Sequence, residues 1–212
     1  EIVKEEDTVL VLGDTSWGMN MNEAKEDLDI INNLPGKKVF IKGNHDFWWS
    51  SLNKLKSTYE EISFLQNSYY KYGNIGICGT RGWLCPNEVK FDKDDEKIYK
   101  REQLRLKMSL DSAVKDGCDE LIVITHYPPT NDKLETSEFT KIYEEYNVKK
   151  VIYGHLHGKE SFVSGLGHNY RAERQEGYGF RHTAFYSVSL LCLYCWRKHF
   201  ATGEEKLWLV IS

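Results

Sequence analysis

Short apolar runs alternate along this chain with stretches in which apolar residues recur every three or four positions. The runs centre on residues 8–12, 38–42, 121–124 and 149–153. A run that is apolar at nearly every position predicts a strand covered on both faces. The intervening periodic stretches predict helices, so the order of elements indicates an α/β fold with buried, largely parallel sheets.

Local signals mark where the predicted helices begin and end. Asn20 and Glu23 resemble a capping box before the first periodic stretch. Asp46 is predicted to cap a helix that extends from Phe47 to Tyr59. The longest helix is predicted over 92–115, where Leu106, Leu110 and Ala113 share one face, and a further helix is predicted over 137–146.

Four polar motifs each follow an apolar run. They are Gly13-Asp14, Gly43-Asn44-His45-Asp46, Thr125-His126-Tyr127 and Gly154-His155-Leu156-His157-Gly158. The carboxyl ends of parallel strands meet at one edge, where α/β proteins bind ligands. A single Gly-Asn-His-Asp is as compatible with a turn, and a single His-x-His with a surface pair. Four such motifs in this order instead predict a shared metal site, and one that holds two metal ions.

The side chains in these motifs are those that bind borderline divalent metals. Asp14 supplies a carboxylate that can bridge two cations, and Asn44 supplies a neutral carbonyl oxygen. His126, His155 and His157 supply ring nitrogens. Oxygen and nitrogen ligands without thiolate suit Mn, Fe, Zn or Ni, and the sequence does not choose among them. Two such ions can clamp a phosphate and generate a bridging hydroxide that attacks phosphorus.

Composition narrows the classes of protein that need to be considered. The chain has 212 residues, 41 % of them apolar, which is enough for one substantial core. A net charge of −4 does not favour nucleic-acid binding. Five scattered cysteines favour a reducing compartment, and we therefore expect a cytoplasmic protein. No apolar run approaches the ~20 residues needed to span a bilayer, so no membrane association is expected.

The four motifs resemble those of the calcineurin-like metallophosphoesterase family, and Gly79-Thr80-Arg81-Gly82-Trp83 is similar to small bacterial members. The resemblance extends, more loosely, from about residue 1 to 157. It implies a four-layer α/β/β/α sandwich, with metal ligands at the carboxyl ends of strands, and a dinuclear centre. It also implies roles for individual residues: Asp14 as the bridging ligand, Asn44, His126 and His155 as ligands of one ion, His157 as a ligand of the other, and His45 as the catalytic histidine.

The chain departs from the family pattern at both ends. Family members open with an Asp-x-His motif that supplies two ligands to the ion bound by His157, and no such motif precedes Asp14. We therefore expect the natural beginning to be missing and the second ion to bind weakly, if it binds at all. Residues 1–165 are predicted to form the metallophosphoesterase core, and residues 166–212 a divergent C-terminal segment.

Three functional hypotheses remain open at this point. The first is metal-dependent hydrolysis of a phosphomonoester or phosphodiester, with His45 as the general acid. The second is a non-catalytic metal-binding scaffold for a partner protein, and the third is a nuclease or cyclic-nucleotide phosphodiesterase.

Two weaker signals bear on the substrate. Arg81 could bind the substrate phosphate, although a structural or solvated arginine is equally compatible. Phe47, Trp48 and Trp49 could support an aromatic leaving group, although packing in the core is the simpler interpretation.

Overall fold

The computed structural model describes residues 3–87 and 91–156, together with two strands at residues 184–187 and 207–210. The strands are β1 Thr8–Val11, β2 Lys37–Phe40, β3 Ile62–Phe64, β4 Tyr69–Tyr72, β5 Ile75–Thr80, β6 Glu120–Thr125, β7 Lys150–Tyr153, β8 Ala184–Ser187 and β9 Leu207–Val210. The helices are α1 Met21–Asn32, α2 Leu52–Thr58, α3 Lys93–Lys115 and α4 Glu138–Glu145. Among the described residues, no helix combines the length and the apolar character that crossing a membrane requires.

The strands form two sheets with their carboxyl ends available for ligands. One sheet has the order β3-β2-β1-β9 and is parallel throughout. The other has the order β4-β5-β6-β7-β8, in which only the β4–β5 pair is antiparallel. Consecutive residues of a strand point to opposite faces. In β1, Leu10 therefore packs between the sheets, whereas Val9 and Val11 pack toward the helices.

Three clusters of buried apolar residues define four layers. Leu10, Ile41, Ile77, Ile124 and Ile152 belong to the cluster between the two sheets. A second cluster joins the first sheet to α1 and α2, and a third joins the other sheet to α3 and α4. Both sheets are thus covered on both faces, as the apolar runs predict, and the α/β/β/α sandwich is confirmed.

One predicted helix begins at the wrong residue. Helix α2 spans Leu52–Thr58 and is capped by Ser51, not by Asp46. The Asp46 carboxylate accepts hydrogen bonds from a different loop and from Trp48, so it is not available to cap a helix. Strand β3 is also absent from the sequence prediction, because three residues are too few to show an alternating pattern.

Two strands come from the C-terminal segment. β8 pairs with β7 in a parallel register, and β9 pairs with β1 in the same way. Each sheet therefore gains one strand from residues beyond 165, both within the apolar stretches of that segment. A division of the chain near residue 165 stays a prediction. Cys192 and Cys195, for which a half-buried strand is the simpler sequence interpretation, lie outside the described residues.

Ser137 ties the loop that follows His126 to helix α4. Its hydroxyl donates to the Pro129 carbonyl and accepts from the Thr140 backbone N–H. We expect Ser137→Ala to lower the free energy of unfolding by about 1–2 kcal/mol, because a buried cap and a buried carbonyl both lose their partner. Urea denaturation tests this, with the exposed cap variant Ser51→Ala as the control. An equal loss of unfolding free energy in the two variants would contradict the argument that burial makes the Ser137 hydrogen bonds more important than those of Ser51.

Candidate metal centre

Four of the predicted ligands come together where strands of both sheets end. Asp14 follows β1 and Asn44 follows β2, whereas His126 and His155 follow β6 and β7. Asp14, His126 and His155 offer ligand atoms that all lie within 4.8 Å of one another. The fifth predicted ligand, His157, lies outside the described residues.

The ring of His126 is at the centre of this arrangement. Its Nδ1–H donates to the Leu12 carbonyl oxygen at 2.8 Å, because a carbonyl can only accept. In the neutral ring, Nε2 is then left with a lone pair. That nitrogen lies 2.7 Å from Asn44 Oδ1, 3.1 Å from His155 Nδ1 and 3.3 Å from Asp14 Oδ2.

The spacing of these atoms fits a divalent cation. Ligand atoms bonded at about 2.1 Å to an octahedral ion lie about 3 Å apart when they are adjacent. Asp14 Oδ2, Asn44 Oδ1 and His126 Nε2 carry lone pairs, as does His155 Nδ1 in one of its two neutral tautomers. A single proton could satisfy only one of the three contacts that His126 Nε2 makes. Oxygen and nitrogen donors without sulfur suit Mn, Fe, Zn or Ni. The residues present therefore fit the metal that the sequence predicts.

The loop backbones are shaped to bring the ligands together. Asp14 and His155 have φ values of 54° and 69°, in the left-handed region that non-glycine residues rarely adopt. A Cβ atom on Gly43 would lie 2.1 Å from Asp14 Oδ1, and one on Gly13 would lie 2.4 Å from the Gly43 nitrogen. The backbones of the Asp14 loop and the Asn44 loop are thus in contact. This contact leaves no room for a Cβ atom at Gly13 or Gly43. Left-handed non-glycine residues cluster at functional sites, consistent with this assignment.

Asp46 organises these two loops and is not positioned as a ligand. One carboxylate oxygen accepts from the backbone N–H groups of Asp14 and Gly43, at 2.8 and 2.7 Å. The other accepts from the backbone N–H and hydroxyl of Thr15 and from the indole N–H of Trp48. The bonds of Asp46 hold the loop of Asp14 against the loop of Asn44.

The electrostatics favour an ionised Asp14. Burial acts to raise its pKa, since its side chain is only 7 % exposed. The hydrogen bond and positive charge that His126 supplies when its ring is protonated, and the backbone N–H of His45, outweigh that effect and hold the pKa of Asp14 below its ordinary value. The carboxylate is thus prepared to bind a cation.

His45 lies beside the ligands, and its ring packs against two aromatic side chains. Its backbone N–H donates to Asp14 Oδ1 at 2.8 Å. Its half-buried ring stacks against Trp17 with centroids 4.3 Å apart and meets the edge of Phe47 at 6.1 Å. The proximity of Trp17 was not visible in the sequence, because the residue lies on the loop of a different strand.

Arg81 is buried beside the centre. Its backbone carbonyl accepts from the N–H groups of His126 and Tyr127, at 3.1 and 3.0 Å. Its guanidinium lies over the Trp83 ring and 3.7 Å from the buried Glu102 carboxylate. The side chain is 15 % exposed, so it is not a solvated surface arginine. Burial lowers the pKa of Arg81, because desolvation disfavours the charged form.

Sequence reasoning missed Glu102 and Lys42. Glu102 is hidden in the polar pattern of α3, yet it accepts from Thr80 and Arg105 and is fully buried. Burial and the nearby charge of Arg81 lower the pKa of Lys42, which precedes the loop of Asn44. Positive side chains therefore accumulate next to the ligand loops.

A comparison with protein families decides the classification. The family model of the calcineurin-like phosphoesterases matches residues 1–159 of the 212. The chain belongs to this family. The resemblance inferred from the motifs is thereby confirmed, and membership implies metal-dependent hydrolysis of phosphoesters. No curated protein matches the chain.

Proposed function

We propose that the protein hydrolyses a phosphomonoester or phosphodiester at this centre. Asp14, Asn44, His126 and His155 would hold one divalent ion, and Asp14 with His157 a second, weaker one. Bound divalent ions would polarise the phosphoryl group and activate water. His45 would donate a proton to the leaving oxygen.

The observation that carries the proposal is the convergence on His126 Nε2. Two acceptor oxygens, from Asp14 and Asn44, and one ring nitrogen, from His155, lie 2.7–3.3 Å from it. Packing such atoms together is unfavourable unless a cation or proton lies among them, because each would otherwise lose its hydrogen bonds to water. Loops that had only a structural role and bound no metal would not need this arrangement.

Arg81 is proposed to contribute to binding of the phosphate. The Nε atom of its side chain is buried and has no hydrogen-bond partner among the described residues. Contacts with Trp83 and Glu102 limit the freedom of its guanidinium, so little entropy would be lost when it binds an anion. An arginine fixed in this way suits planar recognition of a phosphoryl oxygen pair.

Metal reconstitution followed by a substrate panel tests the proposed function. Chelated protein is loaded with Mn, Fe, Zn or Ni, and the metal content per chain is measured by elemental analysis. We expect at least one tightly bound ion and metal-dependent hydrolysis of p-nitrophenyl phosphate or bis-p-nitrophenyl phosphate. Bound metal without turnover on any substrate, including single-stranded DNA and cyclic nucleotides, would favour the scaffold hypothesis instead. No bound metal would contradict both.

His45→Ala is expected to lower kcat by roughly 10²–10⁴-fold with little change in metal content, because general acid catalysis contributes about that factor. The His45 side chain is not among the atoms that surround His126 Nε2, whereas its backbone N–H, which alanine retains, donates to Asp14. Elemental analysis and steady-state kinetics on the same preparation provide the measurement. A parallel loss of metal and turnover would instead identify His45 as a ligand.

A further inference from the structure

Two exposed aromatic rings contact the ring of His45. Trp17 is 73 % exposed and Phe47 is 51 % exposed, whereas the neighbouring Trp48 and Trp49 are buried in the core. Single exposed apolar residues are common on proteins. Two large rings in contact with the same histidine are a local concentration of apolar surface beside the residue that is proposed to protonate the leaving group.

The two rings come from loops that are held in place. Trp17 follows Ser16, whose buried hydroxyl donates to Asp27 at 2.6 Å and accepts from the Gly18 N–H at 3.1 Å. Phe47 follows Asp46, and its N–H donates to the His45 carbonyl at 2.8 Å. The rings are therefore presented to solvent by ordered backbone, which reduces the entropy lost when a ligand binds them.

Most of the Trp17 side chain remains exposed beside its contact with His45. The two rings are tilted by 35° and their centroids lie 4.3 Å apart. Phe47 meets the same imidazole edge-on, at an interplanar angle of 81°. A flat ring that lies against the exposed parts of both Trp17 and Phe47, on the side where His45 contacts them, would keep its ester oxygen near His45. An alkyl group would cover less of this surface and would gain no stacking.

We propose that Trp17 and Phe47 bind the flat aromatic ring of a leaving group, such as a phenol or the base of a leaving nucleoside, and so set the substrate class of the centre. This inference rests on the proposed function, since it assumes that the leaving group lies beside His45. Stacking of one ring on an exposed aromatic residue contributes about a tenfold gain in binding.

A binding measurement tests the inference without turnover. Phenylphosphonate and methylphosphonate, which the proposed hydrolysis cannot cleave, are titrated into metal-loaded protein by calorimetry. We expect phenylphosphonate to bind about tenfold more tightly, and the difference to be lost in Trp17→Ala and reduced in Phe47→Ala. Phe47→Tyr should retain it. Leu104→Ala, which removes an exposed side chain from α3, is the matched control and should leave both affinities unchanged.

A kinetic comparison gives the second readout. The ratio of kcat/KM for phenyl phosphate to that for an alkyl phosphate is measured in each variant and in the wild-type protein. The intrinsic reactivities of the two esters cancel when these ratios are compared. We expect the ratio to fall about tenfold in Trp17→Ala, with the alkyl value nearly unchanged. An equal loss for both esters would mean that Trp17 only positions His45, and would overturn the inference.

The two proposals fail in distinguishable ways. If no ester is cleaved but phenylphosphonate still binds more tightly than methylphosphonate, and Trp17→Ala removes this difference, the proposed hydrolysis is wrong and the role of the aromatic rings is supported. If hydrolysis occurs but the wild-type protein binds both phosphonates equally, the aromatic surface is wrong and the hydrolysis stands.

Discussion

Asp14→Asn is expected to remove the tightly bound ion and to reduce hydrolysis to the level of the metal-free protein. Asp14 supplies the carboxylate in the described ligand set, whose other donors are a neutral amide oxygen and two imidazole nitrogens. Without that charge, the cation must give up its water shell for neutral ligands alone, and affinity falls steeply. The asparagine Oδ1 can still accept from the His45 N–H, so the fold should persist.

The measurement is metal content by elemental analysis, together with a urea unfolding curve. Asp116→Asn, at the C-terminal end of α3, removes the same charge far from the ligand loops and should leave metal content unchanged. A normal metal content in Asp14→Asn would contradict the assignment of Asp14 as a ligand. A large loss of stability in the chelated protein would mean that Asp14 is structural.

The sequence was sufficient to bring four of the five candidate ligands together, because a buried strand and the polar residue that follows it leave a joint signal. A run such as the one ending at Leu12 is apolar at every position, since β1 is covered by a sheet on one face and by helices on the other. The polar residue that follows it must then lie at the carboxyl edge. The convergence of Asp14, Asn44, His126 and His155 follows from parallel pairing within each sheet. The pairing of sheets that brings β1 beside β6 has no comparable signal in a single sequence.

The errors arise where a side chain is used by a distant part of the chain. Aspartate commonly caps helices, yet the carboxylate oxygens of Asp46 accept from the backbone N–H groups of Asp14 and Thr15, more than thirty residues away. Glu102 reads as one more charge on a polar helix, yet it is buried against Thr80. Trp17 is separated from His45 in sequence but stacks on it. Such contacts depend on how the two sheets pack, which local patterns do not encode.

Asp46→Asn is expected to lower the free energy of unfolding by about 3–5 kcal/mol and to weaken metal binding at the same time. The carboxylate is fully buried and accepts five hydrogen bonds from four residues: Asp14, Thr15, Gly43 and Trp48. An amide has one acceptor oxygen, so its NH₂ group must face either two backbone N–H groups or the three donors of Thr15 and Trp48. Either orientation leaves buried donors unsatisfied, and each unsatisfied donor lowers the free energy of unfolding by about 1–3 kcal/mol.

Asp46→Asn should also weaken metal binding, because the hydrogen bonds of the Asp46 carboxylate align the loops that carry the ligands. The Asp14 N–H and the Gly43 N–H share one oxygen of Asp46, which fixes Asp14 against the loop of Asn44. Urea unfolding with and without metal measures both effects, and Asp27→Asn is the control. Asp27 is exposed and accepts from Ser16, and asparagine can still do so. A stability change no larger than that of the control would show that the two loops hold their geometry without Asp46.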